Sequence, residues 1–158
     1  MLELYLVSDR SWLNNRPLEE DIEQAILGGV TMVQLREKNL TDEEFTIQAK
    51  KVKTICSKYH IPFIINDNVA VALAVDSDGI HIGQDDQPVK RVRKIIGPHK
   101  IIGVSAHNLK EALAAKEDGA DYLGVGAMFN TSTKDDATAV SQHAEGLVIC
   151  SRDYRNNL

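Results

Sequence analysis

"IINDNVAVALAVDSDGIHIGQDD", residues 64–86, contains two short apolar runs that each end in polar side chains. The first run ends in Asn66 and Asp67, and the second, residues 79–82, leads into Gly-Gln-Asp-Asp. Residues 69–75 between them have the apolar content of a short helix. A strand, a helix and a second strand in this order form a βαβ unit with parallel strands. The stretch therefore predicts two parallel strands with acids and amides at their carboxyl ends.

The same alternation of strand and helix continues along most of the chain. The predicted strands are residues 4–7, 30–35, 62–65, 79–82, 101–104 and 122–125. The predicted helices are residues 18–27, 45–59 behind a capping box at Thr41, 69–75, 89–96 and 109–117 behind an N-cap at Asn108. In the second helix, a spacing of three or four residues predicts one buried face formed by Phe45, Ala49, Val52, Cys56 and Tyr59. A doubly wound sheet binds ligands only where its strand order reverses, so few of its strands would have polar ends. A (β/α)8 TIM barrel has its site at the ends of many strands. All six predicted strands end in polar residues, which favours an α/β protein of the barrel type.

The predicted units are regular in length, and the chain is short for a complete barrel. Successive strands begin about 24 residues apart, so eight units need roughly 190 to 200 residues, against 158 here. Residues 1–140 are therefore predicted to form an incomplete barrel and residues 141–158 a divergent tail, as in a truncated or frameshifted reading. Open sheet edges would favour low stability, aggregation or pairing with a second copy in a homo-oligomer.

Composition argues against several classes of partner. The chain has 18 Lys and Arg against 23 Asp and Glu, a net charge of −5, which argues against a general binder of nucleic acid or anionic membranes. There is no basic N-terminal leader and no apolar stretch near the ~20 residues of a membrane span. Cys56 and Cys150 form neither a disulfide framework nor a metal pattern, and Cys56 is predicted to lie inert in the core. We expect a cytoplasmic protein.

Three polar side chains follow the second predicted strand. Gln34, Arg36 and Lys38 alternate along the sequence, so they would share one face if the strand extends that far. Two cations and an amide suit an anionic group such as a phosphate. The alternative is that Arg36, Glu37 and Lys38 form an ordinary charged edge.

Acids after the third and fourth predicted strands suggest a metal site. Asp67, which follows Asn66, and Asp86 would lie beside the cations. This combination fits Mg²⁺, which is usually held by one or two carboxylates together with substrate phosphates. Two alternatives remain open. Asp67 or Asn68 would merely cap the next helix, and Asp85 and Asp86 would belong to a solvated loop.

The fifth and sixth predicted strands add hydroxyl groups and a further cation. Ser105 and His107 follow the fifth strand, and residues 131–134, Thr-Ser-Thr-Lys, follow the sixth. Hydroxyls and a lysine again suit phosphate oxygens. His81 alternates with two isoleucines, which favours a hydrogen-bonded interior histidine over a catalytic one. The position of all these groups at one end of the sheet, rather than any single residue, indicates a functional site.

Seven motifs resemble one enzyme family. They are YLVSD, GGVTMVQLREK, FIIND, DGIHIGQDD, IGVSAH, GADYLGVGAMFNTSTK and DDATAV. In this order and spacing they are similar to the thiamine phosphate synthase (thiamin-phosphate pyrophosphorylase) family over residues 4 to about 140. The resemblance implies a (β/α)8 barrel transferase of thiamine biosynthesis. Such an enzyme joins 4-amino-5-hydroxymethyl-2-methylpyrimidine pyrophosphate to 4-methyl-5-(2-phosphoethyl)thiazole, giving thiamine phosphate and pyrophosphate.

The resemblance also implies a role for each candidate residue. The Mg²⁺ ligands would be Asp67 and Asp86. The pyrimidine pyrophosphate would be held by Gln34, Arg36, Lys38 and Asn66. The pyrimidine substrate or its pyrophosphate would also contact Ser105 and Lys134. The thiazole phosphate would be reached by Thr131 and Thr133. The groups closest to catalysis would be Arg36, Lys38, Ser105 and Lys134.

Three other interpretations remain open. A thiazole tautomerase has the same fold, but it need not retain the full set of pyrophosphate ligands. A non-catalytic fragment would bind pyrimidine pyrophosphate weakly or bind nothing. A generic phosphate-binding barrel acting on a sugar or indole phosphate gives no reason for two acids beside the Gly-x-His-x-Gly-Gln pattern.

Overall fold

A computed structural model of the protein describes residues 4–10, 13 and 16–125. Strands and helices alternate through this part of the chain, as predicted. The strands are β1 (Tyr5–Val7), β2 (Met32–Leu35), β3 (Phe63–Asn66), β4 (Gly79–Ile82), β5 (Ile101–Ala106) and β6 (Tyr122–Val125). The helices are α1 (Leu18–Leu27), α2 (Asp42–Lys58), α3 (Val69–Ala74), α4 (Val89–Ile96) and α5 (Leu109–Glu117).

The strand order of the sheet follows the chain, from β1 to β6. β1 runs parallel to β2 with Val7 opposite Gln34, and β2 runs parallel to β3 with Leu35 opposite Ile65. A doubly wound sheet would reverse its strand order at a switch point. Parallel strands in chain order, with a helix after each, are the arrangement of the (β/α)8 TIM-barrel family. The predicted fold class is confirmed.

The described part of the chain divides into two compact units, the first ending at Ile80 and the second beginning at His81. In the first unit, three of the four side chains in each of β2 and β3 are buried. Val33, Leu35, Phe63 and Ile64 each have no exposed surface. Burial of successive residues on both faces is expected for parallel strands covered by helices.

Helix α2 forms as its sequence predicts. Thr41 Oγ1 accepts a hydrogen bond from the Glu44 amide at 3.3 Å, and the Glu44 carboxylate accepts one from the Thr41 amide at 2.9 Å, which is a complete capping box. The buried face is the predicted one, with Phe45, Ala49, Val52 and Cys56.

Near the end of α2, Cys56 lies on the buried face that the helical periodicity predicts, and Tyr59 does not. Tyr59 was expected on the same face, but it follows the helix as its C-cap, is only half-buried, and donates its hydroxyl to Glu23 at 2.8 Å. Cys56 is fully buried, and burial raises the pKa of its thiol to about 12. The inert core position predicted for Cys56 is confirmed.

In the second unit, the candidate residue Ser105 lies within β5. The strand continues two residues past its predicted end, because Ser105 lies opposite Gly124 and Ala106 opposite Val125 in the pairing with β6. Ser105 is therefore held inside a strand rather than in the following loop.

Helix α5 begins with a variant of the predicted cap. Asn108 Oδ1 accepts from the Glu111 amide at 3.0 Å. The Glu111 carboxylate accepts from the His107 amide at 2.8 Å, one residue before the cap, and this bond lowers the pKa of Glu111. Among the helices that the structure describes, none combines the length and apolar character needed to cross a membrane.

Candidate functional site

The carboxyl ends of β1 and β2 are joined through Ser8. This buried residue donates its amide to the Gln34 carbonyl at 2.9 Å, and its Oγ accepts from the Arg36 amide at 3.0 Å. β2 ends at Leu35, so the alternation that would have placed Gln34, Arg36 and Lys38 on one strand face does not extend to the two cations. The Ser8 hydroxyl, rather than a strand partner, fixes the backbone at Arg36.

Gln34 lies beneath these strand ends. Its side chain is buried, and its Nε2 donates to the Tyr5 hydroxyl at 2.7 Å. Buried amides are held in one orientation by such bonds. Because this donor bonds to Tyr5, the structure does not direct it to a ligand. A substrate contact for Gln34 therefore remains a prediction.

Arg36 is a largely buried cation with an unused donor. Its side chain is 13% exposed, and its Nη1 lies 3.9 Å from an Asp9 carboxylate oxygen, longer than a hydrogen bond. Its Nη2 is buried and has no hydrogen-bond partner among the described residues. An unsatisfied buried donor on a charged group is costly in a folded protein. The arrangement suits an anionic acceptor such as a phosphate oxygen.

The two residues that follow Arg36 are not equivalent. Lys38 is exposed to solvent. Glu37 has a side chain only 3% exposed, and Arg10 Nε contacts its two carboxylate oxygens at 2.9 and 2.7 Å. The hydrogen bond to Glu37 raises the pKa of Arg10. The alternative of an ordinary solvated charged edge therefore fits Lys38 but not Glu37 or Arg36.

Asp67, at the end of β3, has a strained backbone. Its φ is +60°, in the left-handed region that few residues other than glycine adopt, although Asp tolerates it better than most. Asn68, not Asp67, caps α3, since its Oδ1 accepts from the Val71 amide at 2.9 Å. Capping therefore does not explain Asp67. Its exposed carboxylate at a strained strand end is typical of functional positions.

Asn66 precedes Asp67 as the last residue of β3 and is half-buried. The structure gives its side-chain amide no hydrogen bond within residues 4–10, 13 and 16–125. Both donors and the acceptor of this amide remain available to a ligand.

In the second unit, the loop after β4 folds back on itself. Asp86 Oδ2 accepts from the Gly83 amide at 2.6 Å, while Gln84 Nε2 donates to the Ser105 carbonyl at 2.5 Å. Asp86 is exposed and only one of its carboxylate oxygens is used in this turn. The solvated-loop alternative accounts for Asp85, which is also exposed, and a cation at Asp86 remains a prediction.

Ser105 is held by a buried histidine. His81 Nε2 lies 3.0 Å from Ser105 Oγ, and His81 Nδ1 lies 2.9 Å from the Tyr122 hydroxyl. Glycines make room for these rings, because a Cβ at Gly103 would clash with Tyr122 at 2.0 Å and one at Gly124 would meet His81 at 2.9 Å. The prediction of a hydrogen-bonded interior histidine is confirmed, and His81 contacts a candidate residue directly.

The remaining candidates, Thr131, Thr133 and Lys134, lie outside the described residues. Within the described part of the chain, no three His, Cys, Asp or Glu side chains form a metal cluster. Mg²⁺ does not need such a cluster, because it is commonly held by one or two carboxylates, waters and substrate phosphates. Asp67 in the first unit and Asp86 in the second each carry carboxylate oxygens, the donor type of that mode of binding, and a metal site remains a prediction.

Comparison with known proteins identifies the family of this chain. A family model described as thiamine monophosphate synthase matches residues 4–148. The chain belongs to this family. The sequence is 58% identical over 140 residues to the thiamine-phosphate synthase of Clostridium botulinum, and 59% identical over 138 residues to that of Clostridium tetani. These alignments cover 89% and 87% of this chain and 66% of each relative.

A solved structure supports the same assignment of fold. The thiamine phosphate pyrophosphorylase of Pyrococcus furiosus is 40% identical and superposes with a TM-score of 0.76. The match covers 84% of this chain and 63% of that chain. The chain thus spans slightly less than two thirds of the length of these family members.

The sequence did not predict the residues that hold the candidate side chains and their backbone in place. Ser8 lies in the YLVSD motif, and a small polar residue directly after a strand was the available signal. The Arg10–Glu37 pair and the His81–Tyr122 bond join residues 27 and 41 positions apart, and no local pattern marks them.

Proposed function

We propose that this chain carries the thiamine phosphate synthase activity of its family. The observation that supports this proposal best is the buried Arg36 Nη2, which lacks an acceptor at the end of β2. A pyrophosphate group supplies several anionic oxygens and would satisfy this donor. The substrates would be 4-amino-5-hydroxymethyl-2-methylpyrimidine pyrophosphate and 4-methyl-5-(2-phosphoethyl)thiazole.

Each candidate residue has a role in this proposal. Arg36 and Lys38 would hold the pyrophosphate as cations, and the unused amide of Asn66 would hydrogen-bond the same substrate, with Gln34 beside it. Ser105, oriented by His81, would contact the pyrimidine substrate. Lys134 would add a cation to the pyrophosphate. Hydroxyls for the thiazole phosphate would come from Thr131 and Thr133.

Asp67 and Asp86 would hold Mg²⁺. When bound, the cation supplies positive charge that offsets the negative charge of pyrophosphate. The exposed carboxylates of Asp67 and Asp86 support this role.

The reaction requires a stabilised leaving group more than a nucleophilic side chain. The bond between the pyrimidine methylene carbon and a pyrophosphate oxygen breaks, and pyrophosphate leaves with the electron pair. The thiazole nitrogen then captures the resonance-stabilised carbocation. Arg36 and Lys38 would stabilise the negative charge that develops on the leaving oxygen, which preorganised cations do effectively.

A coupling assay on the purified chain tests the proposal. Both substrates are supplied with and without Mg²⁺, and thiamine phosphate is quantified. The variants Asp86→Asn and Asp85→Asn make the same chemical change at adjacent exposed positions. We expect product only with Mg²⁺, a loss of at least about a hundredfold in Asp86→Asn, and a change within about twofold in Asp85→Asn.

Two results would contradict the proposed activity. One is no product from a chain that circular dichroism shows to be folded. The other is product formation that neither Mg²⁺ removal nor Asp86→Asn reduces.

A further inference from the structure

The loops after β1 and β2 carry charges of alternating sign that face one another in pairs. Arg10 from the first loop contacts Glu37 from the second at 2.7 Å. Asp9 and Arg36 approach less closely, at 3.9 Å. The tight pair therefore involves the carboxylate next to Arg36 in sequence, and the loose pair involves Arg36 itself.

Glu37 presents a problem for any site that binds phosphate through its neighbours. Its side chain is 3% exposed, so solvent screens its negative charge poorly. It stands between Arg36 and Lys38 in sequence. An unpaired carboxylate here would attract these cations and repel a phosphate group.

Arg10 removes this conflict. Its Nε contacts both carboxylate oxygens of Glu37, and its own side chain remains 45% exposed. The carboxylate is thus neutralised by a residue from the other loop, and Arg36 Nη2 stays without a partner among the described residues.

We propose that Arg10 is a positioning residue for the phosphate site, which it serves by holding the Glu37 carboxylate and so keeping Arg36 available to an anionic ligand. This inference rests on the proposed function and deepens it. Arg10 acts through Glu37, and it is the charge of Arg10, rather than a fold contact, that matters.

Titration calorimetry with inorganic pyrophosphate on the full chain tests this role. The variants are Arg10→Gln, Arg10→Lys, Glu37→Gln, the double variant Arg10→Gln/Glu37→Gln, and Arg36→Gln as the test of the phosphate site itself. We expect Arg10→Gln to weaken binding about tenfold, as one uncompensated charge near the ligand would do. Arg10→Lys and Glu37→Gln should bind within about threefold of the original chain, and the double variant should recover to the same range.

Matched controls separate this role from a structural one. Lys51 and Glu19 form another surface ion pair, at 3.1 Å, and Lys51→Gln should leave pyrophosphate binding unchanged. Thermal melting by circular dichroism checks that each variant is folded. A contact that only ties the loops together would be lost in both single variants and would not be restored in the double one.

The outcomes distinguish the two proposals. Unchanged binding in Arg10→Gln, or a double variant as weak as Arg10→Gln, overturns the role of Arg10 and leaves the proposed function intact. No binding of pyrophosphate by the original chain, or equal binding by Arg36→Gln, contradicts the phosphate site and overturns both.

Discussion

At the amino ends of the strands, polar side chains are hydrogen-bonded within the fold, whereas the carboxyl end of β2 leaves a buried donor without a partner among the described residues. At three places on the amino side, the residue just before one strand has a side-chain oxygen that accepts from a backbone amide at or next to the first residue of the neighbouring strand, each at 2.9 Å. The same residues return a backbone hydrogen bond at 2.8 to 2.9 Å. The three pairs are Leu4 with Thr31, Phe63 with Asp78, and Ile102 with Asp121.

Cations from the helices complete two of these three positions. Lys53 of α2 lies 3.4 Å from the Asp78 carboxylate, and Arg93 of α4 lies 2.5 Å from that of Asp121. Arg93 also donates to backbone carbonyls, including that of Gly119 at 3.2 Å. The side chains at these three positions are paired within the fold, which is the pattern of a stabilising layer.

The carboxyl ends leave a buried donor unsatisfied and contain a strained backbone. Arg36 has a buried donor without an acceptor among the described residues, and Asp67 has a left-handed backbone. Asp86 is exposed and accepts the Gly83 amide through one carboxylate oxygen. Functional residues commonly occupy strained positions that cost stability. In barrels the functional site lies at the carboxyl ends of the strands. We therefore expect substitutions at the amino ends to lower the free energy of unfolding, and substitutions at the carboxyl ends to lower product formation.

The largest effect is expected at Asp121, which is 8% exposed. Asp121→Ala leaves both the Ile102 amide and the Arg93 guanidinium without their carboxylate. We expect the free energy of unfolding to fall by about 3 kcal/mol, as when one partner of a buried ion pair is removed. Urea unfolding measures it, and a loss below about 1 kcal/mol would argue against a stabilising layer.

A smaller loss is expected at Thr31, where the same arrangement uses a hydroxyl. Thr31→Val keeps the shape of the side chain and removes the acceptor of the Leu4 amide. The free energy of unfolding should fall by about 1 kcal/mol, because this pair is exposed and carries no charge. Equal unfolding curves for Thr31→Val and the original chain would show that the bond contributes nothing.

At the carboxyl end, the sign should reverse. Asp67→Gly relieves the strain of φ +60° and should raise the free energy of unfolding by about 0.5 kcal/mol, while product formation is lost. Parallel unfolding and coupling measurements test both statements. A destabilised Asp67→Gly variant would mean that the Asp67 side chain supports the fold.

The smallest effect concerns a cap outside both ends. The backbone amide of Thr41 donates to Glu44 and lowers the pKa of that carboxyl below its ordinary value of 4.5. Because the folded pKa is the lower one, the stabilisation is present above pH 4.5 and is lost as the pH falls through the folded value. Carboxyl titration followed by NMR should give a lowered pKa for Glu44, and substitution Thr41→Ala should raise it. Thr41→Ala keeps the backbone amide and removes the hydroxyl, which also donates to Glu44, at 2.9 Å. An identical pKa in both chains would therefore exclude the Thr41 hydroxyl as a cause of the shift.

Local signals predicted most of the fold, and long-range pairing accounts for the rest. The bounds of α1 and α4 agree with prediction because each helix ends at a glycine, and Gly29 and Gly97 adopt φ of +107° and +88°. The second strand begins two residues later than predicted, at Met32. The residue before it, Thr31, accepts a hydrogen bond from the Leu4 amide through its side chain. Pairing across strands cannot be read from a single segment.

The candidate site follows the same rule. Asn66, Asp67 and Arg36 could be named from sequence because they directly follow apolar runs. Sequence alone could not show that Asn68 takes the capping role, nor that Arg10 pairs with Glu37, since both depend on side-chain geometry.

One paired measurement tests the central claim, that the carboxyl ends bind and react while the amino ends stabilise. Asp67→Asn and Asp78→Asn make the same change at opposite ends of the segment around α3, and each variant is assayed for Mg²⁺-dependent thiamine phosphate and for urea unfolding. We expect Asp67→Asn to lose product with unchanged stability. Asp78→Asn should lose stability and keep product in the folded fraction. Product retained in Asp67→Asn, or lost from folded Asp78→Asn, would contradict the account.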